Sequence, residues 1–411
     1  MDTRSIVVYK FGGTSVATPE RIINVAKRLM AAKARGEKVV VVVSAMGDST
    51  NKLIELANQV SNQPDSREYD ALVSTGENIS AALLAMALID RNCPALSLNG
   101  AQAGIRTTDI YSRAKIMDID CSRIQSELDA GKVVVVTGFQ GVTPHDDITT
   151  IGRGGSDTSA VALAAALKAK TCHICTDVDG VYTTDPRMVP NARKLPIISY
   201  DEMLELASLG AKVLHPRSVE FGKQHQIELV VRSSFSDDPG TLVKEISEME
   251  EGLRPVTGVT VDLNQARIAI LKVPDRPGVA GTLFGHLSKN AVNVDMIIQS
   301  IEHDEINSIT FTVHKNDLEI GKKVSEEFAK EVGAQGVVFE DNIAKLSIVG
   351  VGMISKPGVA ATMFKALGEH NINLKHIATS EIKISCVIDQ TKAAEAVRVL
   401  HDAFELEKET V

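Results

Sequence analysis

Two common nucleotide-binding signatures are missing from this chain: it contains no G-x-x-x-x-G-K-[ST] and no G-x-G-x-x-G. Their absence argues against P-loop and Rossmann architectures. No apolar run approaches the ~20 residues of a membrane span, and the apolar stretch after Met1-Asp2-Thr3-Arg4 is too short for a signal peptide. A cytoplasmic location is therefore expected. Basic residues are not in surplus: the formal charge is −9, with no basic stripe to neutralise nucleic-acid phosphates or anionic lipid, so neither nucleic acid nor membrane is expected as a partner. Cysteine is scarce. The five present are an odd number and read as reduced thiols rather than a disulfide framework. Cys172-His173-Ile174-Cys175 does match C-x-x-C, yet no second such pair exists to complete a structural zinc site. The pair also lies in what reads as a strand, where residues three apart point to opposite faces.

What is present is material for several cores. At 411 residues and 44% hydrophobic, the chain exceeds what one core usually supports, and two or three domains are expected. From Ile6 to about Lys244, short β-branched runs alternate with helical patterns. Val39 to Val43, Val133 to Val136 and Leu229 to Val231 are apolar enough for strands buried on both faces. Arg21 to Ala34, Ile79 to Ile89 and Ser159 to Leu167 read as helices. This pattern predicts an α/β domain with helices covering a mostly parallel sheet. An acidic, polar stretch from Glu245 to Gly252, ending at Arg254-Pro255, is the best linker candidate.

Beyond the linker lies an internal repeat. Pro277-Gly278-Val279-Ala280 recurs 80 positions downstream as Pro357-Gly358-Val359-Ala360. The same displacement relates Thr282 to Thr362, Phe284 to Phe364, Leu287 to Leu367, Asn293 to Asn373 and Ser300 to Ser380. A register held over that many positions is a duplication. Each copy reads as strand, Pro-Gly turn, amphipathic helix, then an Asn-containing turn and strand.

Two glycine-rich turns carry the chemistry. The apolar strand Ile6 to Tyr9 runs into Lys10-Phe11-Gly12-Gly13-Thr14-Ser15, and Gly152-Arg153-Gly154-Gly155-Ser156-Asp157-Thr158 follows later. Glycines let backbone approach an anion, successive N–H groups form a concavity, and a following helix presents the positive end of its dipole. Lys10 adds a point charge for a phosphoryl oxygen. Together the turns read as two halves of a phosphate cradle. Glu77, in Ser74-Thr75-Gly76-Glu77 at a helix start, is either a receptor for an ammonium or an acid favouring the dipole, and the residues alone leave both open. Asp177-Val178-Asp179-Gly180 is by itself compatible with an ordinary Asp-Gly turn.

Lys10-Phe-Gly-Gly-Thr-Ser, Val43-Ser-Ala-Met-Gly47 and Gly152-Arg-Gly-Gly-Ser-Asp157 together resemble the amino-acid kinase family, and among its members the aspartate kinases. The segment Thr176-Asp-Val-Asp-Gly-Val-Tyr-Thr-Thr-Asp-Pro-Arg187 is a further match, and the C-terminal repeat resembles tandem ACT domains, small βαββαβ modules that sense amino acids. The resemblance implies a kinase domain over residues 1–245, a linker over 246–263, one ACT domain over 264–342 and another over 343–411, with possible strand exchange between the two. It implies transfer of the γ-phosphoryl of ATP to the side-chain carboxylate of L-aspartate, with Mg2+ bridging nucleotide phosphates. That reaction begins lysine, threonine and methionine biosynthesis. Related kinases of this fold act on other acidic substrates, and a sensor that has lost catalysis is a reading from another class; retention of Lys10, Glu77, Arg153 and Asp157 speaks against it.

Residue by residue, Lys10 and Asp157 are the expected catalytic pair, with Asp157 orienting Lys10 and the backbone donors. Arg153 offers a planar fork for the substrate α-carboxylate. The resemblance tips Glu77 toward the substrate ammonium, and places Ser44, Thr50 and Ser156 in the same pocket. For the nucleotide it implies Lys10, Phe11, Gly12, Gly13, Thr176 and Asp177, with Tyr182 flanking the adenine and Arg187 and Lys212 approaching the phosphates. No metal-ligating residue is assigned. Feedback control by lysine, threonine or both is expected at Asp275, Arg276, Pro277, Gly278, Val279, Ala280, Asn293, Val294, Asp295 and Gln299 in the first repeat. In the second the candidates are Val359, Ala360, Asn373, Leu374 and Ser380. Asp275-Arg276 becomes Ser355-Lys356 in the second copy, so only the first is expected to offer a carboxylate to an effector's ammonium. The partners implied are a homo-oligomer through the ACT domains or a shorter regulatory chain.

Overall fold

The structure, a computed structural model, describes residues 5–210, 213–246, 255–301 and 306–408. These form two compact units, one of residues 1–181 and 194–248, the other of residues 182–193 and 249–411.

The first unit is built on an eight-stranded sheet. Its strand order is Ile197–Ser199, Thr241–Lys244, Glu228–Ser233, Thr171–Thr176, Ile6–Phe11, Lys38–Val43, Val133–Thr137, Ala95–Leu98. All neighbours are parallel except Glu228–Ser233 with Thr241–Lys244. The valine runs are strands because both faces are covered: Val39 to Val43 and Val133 to Val136 are all buried. Helix Pro19–Ala34 opens at Thr18, whose side chain accepts from Arg21 N, with proline in its first turn. It buries Ile22, Val25, Ala26, Leu29 and Ala32 in one core with Leu84 and Leu88 of helix Thr75–Ile89.

Helices Ser66–Val73 and Thr75–Ile89 run on as a stretch of 24 residues, Ser66–Ile89, whose most apolar window matches a membrane span in length and hydropathy, and half of that window is buried within the protein. This stretch is an exception to the expectation that no apolar run approaches the length of a membrane span. Cys172 and Cys175 are both buried in their strand, and all five cysteines are free thiols. Burial pushes the Cys175 thiol up to about 11. Both sulfurs are therefore protonated near neutral pH.

The second unit holds two antiparallel four-stranded sheets. The first module runs Gln265–Pro274, helix Val279–Lys289, Val294–Ile301, Ile306–His314, helix Leu318–Val332, Gly336–Glu340, and all four of its strands pair with one another. The second runs Ile343–Val349, helix Val359–Glu369, His376–Thr379, Lys383–Asp389, helix Ala393–Ala403. Its fourth strand is Gly258–Asp262, which lies before the first module in the chain and pairs antiparallel with Ile343–Val349. The first module is thus inserted into the second. Residues 258–262, read from the sequence as linker, are structured because Val259 is buried in the second module's core.

The segment 182–193 belongs to this second unit, although the sequence reading kept it within a continuous kinase domain. Val189 is part of the second module's core, with Met188 and Ala192 packed against it. Val259 N donates to Thr183 O at 2.8 Å, and Thr183 Oγ1 shares a buried hydrogen bond with His401 Nε2 at 3.0 Å.

Candidate active site

Parallel pairing brings four strand ends level, with Phe11 opposite both Val43 and Cys175, and Val43 opposite Thr137. In open α/β sheets ligands bind beyond such carboxyl ends, and here the connecting turns are laced together. Gly12 N donates to Cys175 O at 3.2 Å, Ser44 N to Phe11 O at 3.1 Å, Gly47 N to Gly13 O at 3.0 Å, and Gly138 N to Val43 O at 2.9 Å. Gly13 is required by this closeness: a Cβ there would stand 2.9 Å from Ala45 O. The two glycine-rich turns named from the sequence meet here.

Lys10, nine-tenths buried, reaches from its strand end so that Nζ lies 2.6 Å from Asp157 Oδ1. Asp157 sits in the first turn of helix Gly155–Ala166, which opens at Gly154 in the left-handed region, φ 70°. Ser156 is half-buried and in contact with Gly138, where a Cβ would come 2.7 Å from Ser156 Cβ. Arg153 is exposed, and no ion pair is recorded for it among the described residues. Ser44 and Thr50, the latter in helix Ser49–Val60, are half-buried.

Glu77 does not sit at its helix start as a solvated acid. It is 3% exposed, with Oε1 accepting from Ala45 N at 3.0 Å and Oε2 buried without a partner. Burial pushes its carboxyl up to about 7, against the opposing effect of the backbone donor. A half-satisfied buried carboxylate is a ready receptor for a cation. Ser80 Oγ donates to Ser44 O at 2.7 Å, which holds the Ser44 turn against this helix.

Two organising residues escaped the sequence reading. Asp70 is fully buried and accepts from Ser112 N at 2.8 Å, Ser112 Oγ at 3.1 Å, Thr150 N at 2.7 Å and Thr150 Oγ1 at 2.9 Å. It thereby fixes the end of the short strand Ile148–Thr150, which leads into Gly152. Gln140 donates through Nε2 to Ser74 O at 2.9 Å while its Oε1 accepts from Gly100 N at 3.3 Å, which anchors the start of the Glu77 helix. Neither stands in a local motif; a buried polar residue whose partners lie far off in the chain leaves no periodic or spacing signal.

The residues expected at the nucleotide are divided between the two units. Phe11 is buried beneath the first turn. Thr176 ends its strand and its Oγ1 donates to Asp177 Oδ1 at 3.1 Å. Tyr182 and Arg187 lie in the segment assigned to the second unit, where Arg187 Nη2 is 2.8 Å from Asp185 Oδ2. Lys212 lies outside the described residues.

In the regulatory unit the two Pro-Gly turns have the same geometry: Gly278 and Gly358 adopt φ 94° and φ 97° and open helices at Val279 and Val359. Asp275, Arg276 and Pro277 are exposed and Ala280 is half-buried. Asn293, Gln299, Asn373 and Ser380 are exposed, while Ala360 and Leu374 are half-buried. Asp295 is ion-paired with the buried Lys345 of the second module. A cavity of about 280 Å3 includes Asn293 and Val294 in its lining, beside Phe284 and Ile297.

Residues 5–233 match the model of the amino acid kinase family, and residues 267–333 and 346–404 each match an ACT domain model. Fold and site therefore define a kinase of the amino-acid kinase class joined to two ACT domains. An aspartate kinase of Pseudomonas putida is 51% identical over 404 residues, 98% of each chain. Among solved structures, Escherichia coli aspartokinase III in complex with aspartate and ADP aligns with a TM-score of 0.80 at 26% identity, covering 97% of this chain and 100% of that one. The same enzyme in complex with lysine and aspartate aligns with a TM-score of 0.76 at 26% identity, covering 97% and 99%. The chain belongs to the aspartate kinase family.

Proposed function

We propose that this protein transfers the γ-phosphoryl group of ATP to the side-chain carboxylate of L-aspartate, giving ADP and 4-phospho-L-aspartate. The observation that carries the reading is the convergence, at one end of the sheet, of the Lys10–Asp157 pair and a buried carboxylate with a free oxygen, Glu77. The first suits a transferring phosphoryl group and the second an α-ammonium. The acceptor needs no general base, because a free aspartate side chain, with a reference pKa of ~3.9, is already ionised at neutral pH. Its oxygen attacks phosphorus as the bond to the β-γ bridging oxygen breaks, and the electron pair leaves with ADP. Phosphoryl transfer is mainly positioning and charge neutralisation.

In this reading Lys10 neutralises charge on the transferring group, and Asp157 holds the ammonium of Lys10 in place. Gly12 and Gly13 allow close backbone approach. Arg153 takes the α-carboxylate of aspartate, Glu77 its ammonium, and Ser44, Thr50 and Ser156 line the pocket. Thr176, Asp177, Tyr182, Arg187 and Lys212 serve the nucleotide. Mg2+ bound to the nucleotide supplies further neutralisation of its phosphates. The side chains at the strand ends fit a metal carried by the nucleotide and its waters, because the carboxylate beside Lys10 is already engaged by it. Lysine, threonine or both act as effectors at the Pro-Gly turns and the Asn293 to Gln299 strand, with lysine favoured by the complex of the Escherichia coli relative. The enzyme works in the cytoplasm as an oligomer through its ACT domains or with a shorter regulatory chain.

The test is coupled ADP release with Mg-ATP and L-aspartate, run with and without lysine and threonine. Aspartate-dependent turnover that falls on adding an effector is the expected result. Turnover with glutamate instead of aspartate overturns the substrate, and turnover indifferent to both effectors overturns the assignment of the repeat.

A further inference from the structure

The turn Gly152 to Ser156 rests on a helix start that no motif reading assigned to the site. His215 is the N-cap of helix Pro216–His225, and its Nδ1 accepts from Arg217 N at 3.3 Å. The His215 side chain packs against Gly154, where a Cβ would run into its ring at Cγ and Cδ2 and into its Cβ. Two residues on, Arg217 Nη1 donates to Ile151 O at 3.1 Å, immediately before the same turn. From below, therefore, one helix start supports the turn by ring contact and by a hydrogen bond.

We infer that His215 is a positioning residue for the phosphoryl-transfer site, its ring forming the floor on which Gly154 sits and so setting where Asp157, and through it Lys10, are held. The chain of contacts is continuous. Gly154 opens helix Gly155–Ala166, Thr158 N and Oγ1 both donate to Gly154 O at 3.0 and 3.1 Å, and Asp157 in that first turn meets Lys10. Burial and the neighbouring Arg217 guanidinium hold the imidazole below its ordinary value, outweighing Asp157, which raises it; the ring is neutral near pH 7 with Nδ1 as acceptor. A shift of ~1 Å in such a support costs rate out of proportion to its size.

Two functions of His215, cap and floor, are separable by substitution. Asparagine is a strong N-cap and keeps an acceptor for Arg217 N, but it has no ring to fill the space under Gly154. His215→Asn is expected to keep the wild-type unfolding midpoint while kcat falls at least ~10-fold; His215→Ala loses both. A second pair of variants tests the contact itself. Gly154→Ala is expected to be severely impaired in the wild-type background, whereas in His215→Gly, which removes Cβ together with the ring, the added methyl has room and costs only the strain of the positive φ at this position.

Wild-type kcat in His215→Asn, or an equal loss from Gly154→Ala in both backgrounds, overturns the inference. The inference rests on the kinase reading above, and the two fail differently. Absence of aspartate-dependent turnover in the wild type overturns that reading. The ATP dissociation constant, measured on the same full-length variants, still reports whether the turn depends on the His215 ring: unchanged ATP affinity in Gly154→Ala and His215→Asn then overturns the inference too.

Discussion

Lys10 Nζ and Asp157 Oδ1 lie 2.6 Å apart, both side chains about nine-tenths buried, one at the end of a strand and the other in the first turn of a helix. A buried pair of this kind is worth little as net stability, but removing one member strands the other charge. Lys10→Ala is expected to lower kcat by ~10^2 to 10^3, the usual cost of losing one charge-stabilising donor. Asp157→Asn leaves Lys10 unheld and is expected to lower kcat with a smaller change in KM. Steady-state kinetics on both variants decide it, and wild-type kcat in either removes the pair from the mechanism.

Glu77 gives a pH-dependent signature. Its carboxyl sits at about 7 in the folded protein against an ordinary 4.5, so between these values the unfolded chain binds fewer protons than the folded one. Stability contributed by this group is then lost as pH rises from about 4.5 to about 7. Glu77→Gln removes the penalty and is expected to be more stable than wild type above about pH 7 by on the order of 3 kcal/mol, with the difference vanishing near pH 4. Denaturant titrations at the two pH values measure it. The same variant should raise KM for aspartate strongly while leaving KM for ATP near wild type, a split that a purely structural acid would not produce.

Asp70 has four donors directed at it and, among the described residues, no counter-charge within hydrogen-bond reach. Asp70→Ala leaves the buried donors of Thr150 unsatisfied, at a cost of roughly 1 to 3 kcal/mol for each group left without a partner, and frees those of the half-buried Ser112. A fall in thermal midpoint of several degrees is expected, together with loss of turnover, because Thr150 leads into the Gly152 turn. A variant as stable as wild type would show that water replaces the carboxylate.

The inserted topology of the regulatory unit predicts where damage spreads. Val259 is buried in the second module's core although it precedes the first module in sequence. Val259→Asp buries an unpaired charge there and is expected to release protection of amides such as Leu346 and Ile348, read by hydrogen exchange, while Ile270 and Phe311 of the first module stay protected. Loss of protection confined to the first module would contradict the insertion.

Much of the architecture was legible because it is local. Runs such as Val39 to Val43 announce strands buried on both faces, and Pro277-Gly278 with Pro357-Gly358 announces a duplicated turn and helix. Strand pairing is not local in that sense. Gly258 to Asp262 is five residues of ordinary β pattern, and nothing in those residues says that their partner is Ile343–Val349 rather than the adjacent module. The segment 182–193 reads as a continuation of the kinase motif, and only tertiary contacts, burial of Val189 in the other core and the hydrogen bonds of Thr183, assign it elsewhere.

By itself, the sequence determined the classes of element, the two anion-cradling turns, the repeat and the residue types available for chemistry, because backbone conformation and hydrophobic period are properties of short stretches. Only tertiary structure decided which of those residues meet. Glu77 becomes a half-satisfied buried carboxylate because the Ala45 turn closes over it, Asp157 finds Lys10 because helix Gly155–Ala166 packs against the strand Ile6–Phe11, and Asp70 and His215 matter because packing brings distant segments onto them. Those are long-range contacts, and their free energy is set by what surrounds a side chain rather than by what precedes it in the chain.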